Sequence, residues 1–450
     1  MKKTLVSSLT FLLVIGVAAS VFAWPAVYPT GTTIYDPEKA FNGYTLFSPM
    51  GHKGKAIKPY DVESYMYLID MNGEVVHTWR LPFSPGLHGI LLPNGNLVFQ
   101  GRSNEVDPPD RPGVGKYPMG GSAGWLFELD WDGNIVFQHK DPSSHHDFDK
   151  LPNGNYIYVA WEKVPKDLQK KIRGGYKGTE HKDGSMFADV LKEINPQGEV
   201  VWEWHVINHF DPDIDIIGPV HNRKEWFHCN NVAVMANGNI VTDGRYTDSV
   251  IIIDKKTKEI IWRWGNVAYL DKETGQIEFR HGKNTLGGQH DCEEIEPGLP
   301  GAGNILCYDN GQYADKSRAV EIDPKTSKVV WESTEAPIGR KHYSSFISGA
   351  ERLPNGNTLI CSGANGRFFE ITPEKEIVWE YVNPYITFPR YQGAVFRAHR
   401  YGPDYCPQFK NLPPAKGTAV TPPDNSVFRI PPRAMRKIPT EMKLLPSYEK

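Results

Sequence analysis

HHDFDKLPNGNYIYVAWE (145–162), followed after a variable segment by DVLKEINPQGEVVWEWH (189–205), holds four short runs rich in β-branched and aromatic residues, broken by Asn-Gly and Gln-Gly turns. Read in order this is strand A, a tight turn, strand B, a loop, strand C ending in Asn195, a tight turn, and strand D. Asn-Gly tolerates the positive φ that a two-residue hairpin demands, so a two-residue turn is expected between A and B.

The same unit recurs along the chain. The A–B turn reappears as Leu92-Pro-Asn-Gly-Asn96, Met235-Ala-Asn-Gly-Asn239, Leu299-Pro-Gly-Ala-Gly-Asn304 and Leu353-Pro-Asn-Gly-Asn357. Strand D reappears as GEVVHTWR (73–80), GNIVFQHK (133–140), KEIIWRWG (258–265), KVVWEST (328–334) and KEIVWEYV (375–382). With GEVVWEWH (198–205) that makes six copies, spaced about 50 to 70 residues apart. Such a period fits a four-stranded propeller blade with loops and exceeds most helical repeats. The N-terminal copy has strands B, C and D (GYTLFSP, 43–49; YMYLID, 65–70; GEVVHTWR) but lacks an A, and AVFRAHRYGPDY (394–405) follows the sixth D. The sequence therefore predicts an all-β, six-bladed β-propeller closed by a C-terminal strand that joins the N-terminal blade, which removes the exposed sheet edges of an open array. The strand D tryptophans Trp79, Trp202, Trp262, Trp331 and Trp379 read as blade packing.

Composition agrees. Of 450 residues, 40% are hydrophobic, 23% charged and 12% aromatic, which excludes disorder, collagen-like sequence and coiled coil. Gly 42 and Pro 36 exceed ordinary usage and favour many turns over long helices. A net charge of −3 argues against nucleic acid or an anionic membrane as partner. The first 23 residues, MKKTLVSSLTFLLVIGVAASVFA, read as an export signal with cleavage expected before Trp24, and imply a periplasmic or secreted protein with no membrane association once the signal is removed. The expected division is signal 1–23, propeller 24–405 and an extended Pro-rich tail 406–450. Five cysteines (Cys229, Cys292, Cys307, Cys361, Cys406) in an oxidising compartment permit at most two disulfides, with no pairing or oligomeric state readable.

Strand alternation locates the chemistry. If strand A runs along the axis, the starts of A and the B–C loops share one face. There stand His88, His145-His146, His228 and His290, with His399 on the closing strand. The sixth blade has Ser345 and Ser348 at this position, with His342 just upstream. The B–C loops add Arg102, Arg245, Arg318 and Arg367. A mouth lined by imidazoles and guanidinium groups suits an anion with three or four oxygens. Alone, a histidine before a strand is more often a structural hydrogen bonder, and each arginine more often a loop brace. Phosphate-binding glycine loops, zinc-helix, serine-elbow and Cys-x-x-Cys signatures are absent, and no cofactor is implied.

TGTTIYDPEKAFNGYTLFSP, YLIDMNGEVVHTW, WFHCNNVAVMANGNIV, GGQHD with the later YDNG, SRAVEIDP and RFFEITPEKEIVWEY resemble the arylsulfate sulfotransferase family of exported six-bladed propellers, over roughly 27–405. The resemblance implies transfer of a sulfuryl group from an aryl sulfate ester to a phenol without a nucleotide sulfate donor, by ping-pong exchange through a sulfated histidine. It implies that His228 and His290 bind sulfate with Arg318, and that His399 or His342 replaces a nucleophile whose place in the late blade is held here by Ser345 or Ser348. His88, His146, Arg245, Arg367 and Ser348 complete the expected substrate contacts. The other readings open at this point are a histidine-rich propeller binding copper or zinc as an oxidase or hydrolase, and a non-catalytic propeller binding an anionic ligand.

Overall fold

The computed structural model describes residues 30–51, 55–280, 282–314, 316–333, 343–385, 393–413 and 417–421. The expected export signal with its expected cleavage point, His342 and the residues beyond 421 lie outside the described residues.

Six four-stranded antiparallel sheets are arranged as a propeller, with strands A to D running from the axis outward. Blade 1 takes A from the C-terminal side (Val395–Tyr401) and B, C and D from the N-terminal side (Tyr44–Pro49, Tyr65–Ile69, Val75–Arg80). The ring closes as the repeat arithmetic required, with Leu46 opposite His399 in the ladder. Blade 2 runs Ser84–Leu91, Leu97–Arg102, Gly124–Leu129, Ile135–Lys140; blade 3 runs Ser144–Lys150, Tyr156–Lys163, Phe187–Ile194, Val200–His205. Blade 4 runs Cys229–Val234, Ile240–Gly244, Ser249–Ile253, Ile260–Trp264; blade 5 runs His290–Glu294, Ile305–Asp309, Arg318–Asp323, Lys328–Glu332. Blade 6 runs Gly349–Arg352, Thr358–Ser362, Arg367–Ile371, Ile377–Val382, and gains an outer fifth strand from Gly31–Tyr35. Tyr35 in turn bridges Val420, so the two ends of the described chain meet at the outer edge of blade 6.

The repeated residues have repeated jobs. The indole N–H of a strand D tryptophan donates to a C–D turn of the next blade: Trp79 to Asp130 O, Trp204 to Lys258 O, Trp264 to Ser327 O, Trp331 to Pro373 O and Trp379 to Met71 O. The last of these stitches blade 6 to blade 1. In the A–B turns the final Asn amide donates to a strand C glutamate of its own blade, as in Asn96–Glu128, Asn155–Glu193, Asn304–Glu321 and Asn357–Glu370. The expected two-residue turn is not formed. Gly154 N bonds Leu151 O and Leu151 N bonds Asn155 O, and of the loop residues only Gly154 has positive φ (+88°). A three-residue loop with a left-handed glycine is the result, and the preceding Pro152, which fixes its own φ near −65°, selects it.

Between blades the apolar faces interlock. Trp204, Trp226, Phe227, Ile240 and Ile251 bury the blade 3–4 seam, and Tyr35, Phe47, Phe368, Trp379 and Tyr381 the blade 6–1 seam. Phe409, in a short 3-10 helix at Pro407–Asn411, packs edge-on against Tyr44 at 4.7 Å and extends the blade 1–2 core. Cys292 and Cys307 form a disulfide between strands A and B of blade 5, while Cys229, Cys361 and Cys406 are free and buried.

Candidate functional site

The start of each A strand does converge on the axis. Phe396, on the closing strand, has its ring 5.7 Å from His88, 6.4 Å from His146 and 6.1 Å from His290, and the His146 and His228 rings are 4.7 Å apart. Imidazoles from blades 2, 3, 4 and 5 thus meet around one strand of blade 1.

Arg397 fills the centre. Fully buried, it lies 3.2 Å from Asp147 Oδ2 and 2.9 Å from Asp291 Oδ1, and donates to Asn230 O at 3.0 Å. One side chain therefore ties blade 1 to blades 3, 4 and 5. Two buried carboxylates offset the cost of removing its charge from water. Sequence reading passed over Arg397 and Asp147, although the period-two alternation that points His399 at the axis points Arg397 there too.

Beyond Arg397, away from the mouth, His88 Nε2 sits 2.6 Å from Asp147 Oδ1 and His88 Nδ1 3.2 Å from His399 Nε2. His399 Nδ1 lies 3.8 Å from Glu351. Both histidines belong to the channel wall below the arginine.

On the mouth side four groups stand together. His228 Nδ1 is 2.9 Å from Glu225 Oε1, whose second oxygen accepts the Trp161 indole N–H at 2.8 Å. A carboxylate acceptor at Nδ1 fixes the proton there and leaves Nε2 as a lone pair. Glu225 comes from the segment between blades 3 and 4, which also supplies His221. His221, Tyr246 and His228 form a parallel stack at 4.8 and 4.5 Å. His146 Nδ1 is 2.7 Å from His145 Nδ1. His290 has neither nitrogen spare: Nδ1–H donates to Asn310 Oδ1 at 2.7 Å and Nε2 accepts the Ile347 N–H at 3.1 Å.

The charge balance of the mouth follows from burial. Desolvation, helped by neighbouring imidazoles and by Arg245, holds His146 far below the usual histidine range. Desolvation and then Arg245 do the same to His290. Both are neutral at pH 7, acting as lone-pair and N–H partners and not as cations. Glu225, although desolvated, is kept ionised by His228, His145 and the Trp161 N–H. The positive charge is Arg245. Its guanidinium has no carboxylate or hydrogen-bond partner among the described residues, and its Nε is buried without an acceptor. A half-buried cation left unpaired beside three imidazoles is a site for an anion.

The other expected residues are placed elsewhere. Arg318 is engaged by Asp309 at 3.0 Å, by Glu332 at 2.7 Å and by the Lys283 and Thr285 carbonyls, bracing blade 5. Arg367 pairs with Glu380 and covers the Phe369 ring, with one buried nitrogen unpartnered. Ser348 is locked, donating to Ser344 Oγ at 2.8 Å and accepting from Gly363 N at 2.9 Å. Among the described residues, no three His, Cys, Asp or Glu side chains are placed to share one metal ion.

The sequence profile of the arylsulfotransferase (ASST) family matches residues 42–383. Among curated proteins none matches this chain. Solved structures similar to it include a protein of unknown function from Bacteroides caccae, at 13% identity over 79% of this chain and 98% of that one, with a TM-score of 0.45. A catalytically inactive virginiamycin B lyase from Staphylococcus aureus, determined with quinupristin, shares 8% identity over 75% of this chain and 88% of its own, at TM-score 0.37. The β-propeller domain of Cps50 (Swd1) from Myceliophteria thermophila shares 11% over 79% and 90%, also at 0.37.

Proposed function

The chain belongs to the arylsulfotransferase family, and from that premise we propose that it moves a sulfuryl group from an aryl sulfate to a phenol through a covalent intermediate on His228. The observation that carries this reading is the Glu225–His228 pair beside the unpaired Arg245.

In the first half-reaction the His228 Nε2 lone pair attacks sulfur, the S–O(aryl) bond breaks and the phenolate leaves with its electron pair. Sulfation makes the ring cationic, and the Glu225 carboxylate 2.9 Å from Nδ1 stabilises it. In the second, an acceptor phenol oxygen attacks sulfur and the S–N pair returns to Nε2. Arg245 faces the three sulfuryl oxygens in both steps, as fixed cations do in phosphoryl transfer. The Tyr246 and His221 stack holds the His228 plane so that Nε2 stays aimed at the mouth. The Cys292–Cys307 disulfide supports an oxidising, exported setting for the reaction.

The test is turnover with p-nitrophenyl sulfate. Nitrophenol release should depend on added phenol, and His228→Ala should abolish it while circular dichroism stays native. Glu225→Gln should lower kcat about 10²-fold or more, the scale of an orienting carboxylate's loss. Absence of acceptor-dependent release across a panel of phenols would overturn the reading.

A further inference from the structure

His145 and His146 are used by no step above, yet they are built with care. His146 holds a left-handed backbone, φ +52°, which a non-glycine residue adopts at a cost of about 1–3 kcal/mol when its surroundings enforce it. The enforcement is visible: His146 N donates to Gly121 O at 2.9 Å, and Gly121 lies so close to the imidazole that any Cβ there would overlap the ring. Strain at this point turns the His146 ring toward His228, 4.7 Å away and roughly perpendicular to it. His145 is clamped face to face on Trp161 at 3.9 Å and is fully buried. Its Nδ1 touches His146 Nδ1 at 2.7 Å, and its Nε2 lies 3.1 Å from Asp189 Oδ1. That last contact is off the line of an ideal hydrogen bond, and neither Asp189 oxygen has another partner although the residue is only 1% exposed. A buried carboxyl whose one neighbouring donor is a poorly aligned imidazole N–H is unfavourable unless it takes up a proton.

Resting on the reaction above, we propose that His146 is the base that accepts the acceptor phenol's proton, and that His145 and Asp189 carry that proton away from the mouth. Before transfer, His145 keeps its proton on Nε2 toward Asp189, and its Nδ1 lone pair accepts His146 Nδ1–H, which leaves His146 Nε2 free. As the phenol oxygen forms its bond to sulfur and the S–N bond on His228 breaks, the phenol proton passes to His146 Nε2. The Nδ1 proton of His146 moves to His145 Nδ1, and the Nε2 proton of His145 moves to the Asp189 carboxylate. Charge and protons balance: the phenol loses one proton, Asp189 gains one, and both imidazoles end neutral with exchanged tautomers. Burial already pushes the Asp189 carboxyl above the usual carboxylate range, which suits a proton terminus. In reverse the relay supplies an acid to a poorly leaving phenolate. His146 is the catalytic member; His145 and Asp189 position it and store the proton.

The two halves of the exchange can be separated by stopped flow. Nitrophenolate leaves without protonation, so p-nitrophenyl sulfate alone should give a rapid burst in the native enzyme. His146→Gln and Asp189→Asn should slow the second half-reaction with unsubstituted phenol by about 10²-fold or more, the usual worth of a general base. The deficit should shrink steadily as the acceptor is made more acidic, because an already ionised phenol needs no base. Their acceptor-step pH profiles should shift to follow ionisation of the acceptor. A slowdown equal for acidic and weakly acidic acceptors, or no slowdown, would overturn the relay while leaving the exchange intact. Absence of any burst in the native enzyme would instead overturn the covalent reading and the relay with it.

Discussion

Arg397, on the strand that closes the ring, and Asp147, on the innermost strand of blade 3, are paired at 3.2 Å across the axis of the propeller, each at most 2% exposed. The same guanidinium also reaches Asp291 and Asn230, so this one side chain joins blade 1 to blades 3, 4 and 5.

Replacing Arg397 with Met should therefore cost about 3–5 kcal/mol, because it leaves Asp147 and Asp291 as uncompensated buried charges. Chemical denaturation measures this directly. Adding Asp147→Asn to Arg397→Met should recover part of the loss, and strict additivity of the two substitutions would contradict the pairing.

The buried imidazoles give stability a pH dependence. Desolvation depresses His88, His146, His290 and His399 below the ordinary value of 6.5. The unfolded chain then binds more protons than the native one as pH falls below about 6.5, so stability is complete above that pH and lost beneath it. The stability these rings contribute should be flat from pH 7 to 8 and fall below about pH 6.5, opposed by the carboxyls that burial raises, Glu351 to about 8 and Asp149 to about 6. Tm of the native protein should fall more between pH 7 and 5 than that of His146→Gln, and equal falls would mean that this ring is charged or hydrated in the folded state.

Much of this architecture was legible before any coordinates. The Asn-Gly turns and tryptophan strands set the blade count, and the unmatched AVFRAHRY run gave the closure, because a ring leaves one A strand without its own blade. The gathering of His146, His228 and His290 at one mouth also followed from strand direction, whereas His88 is turned to Asp147 and His399. What periodicity could not give was the partner of each side chain. Glu225, His221 and Asp189 lie outside the A strands, where no repeat marks them, and the pairing of Arg318 with Asp309 and Glu332 is set by the strand register within blade 5. Arg245, not Arg318, is left unpaired for that reason.

The left-handed turn glycine offers a test of local structure free of packing. A Cβ on Gly154 would meet only Pro196, at 3.8 Å, so Gly154→Ala should cost about 1–2 kcal/mol from backbone strain alone. Gly154→Asn should cost clearly less, since Asn tolerates positive φ. Equal costs would show that the loop rearranges.

The blade-to-blade stitch can be probed at the ring closure. Trp379→Phe removes the 2.8 Å bond to Met71 O, which keeps only the Thr32 hydroxyl as a donor at 3.1 Å, and should cost about 0.5–1.5 kcal/mol. Sulfuryl exchange measured at a temperature where the variant is folded should be unchanged, because Trp379 lies on an outer strand far from the mouth.

Between donor and acceptor the sulfuryl group should rest on His228, where it can be trapped. Native enzyme mixed with an aryl sulfate and no phenol, quenched under alkaline conditions and digested, should carry the added SO3 mass on the peptide containing His228, and the label should vanish when phenol is supplied before quenching. Label on His290 or His399 instead, or none on any peptide while exchange proceeds, would contradict it.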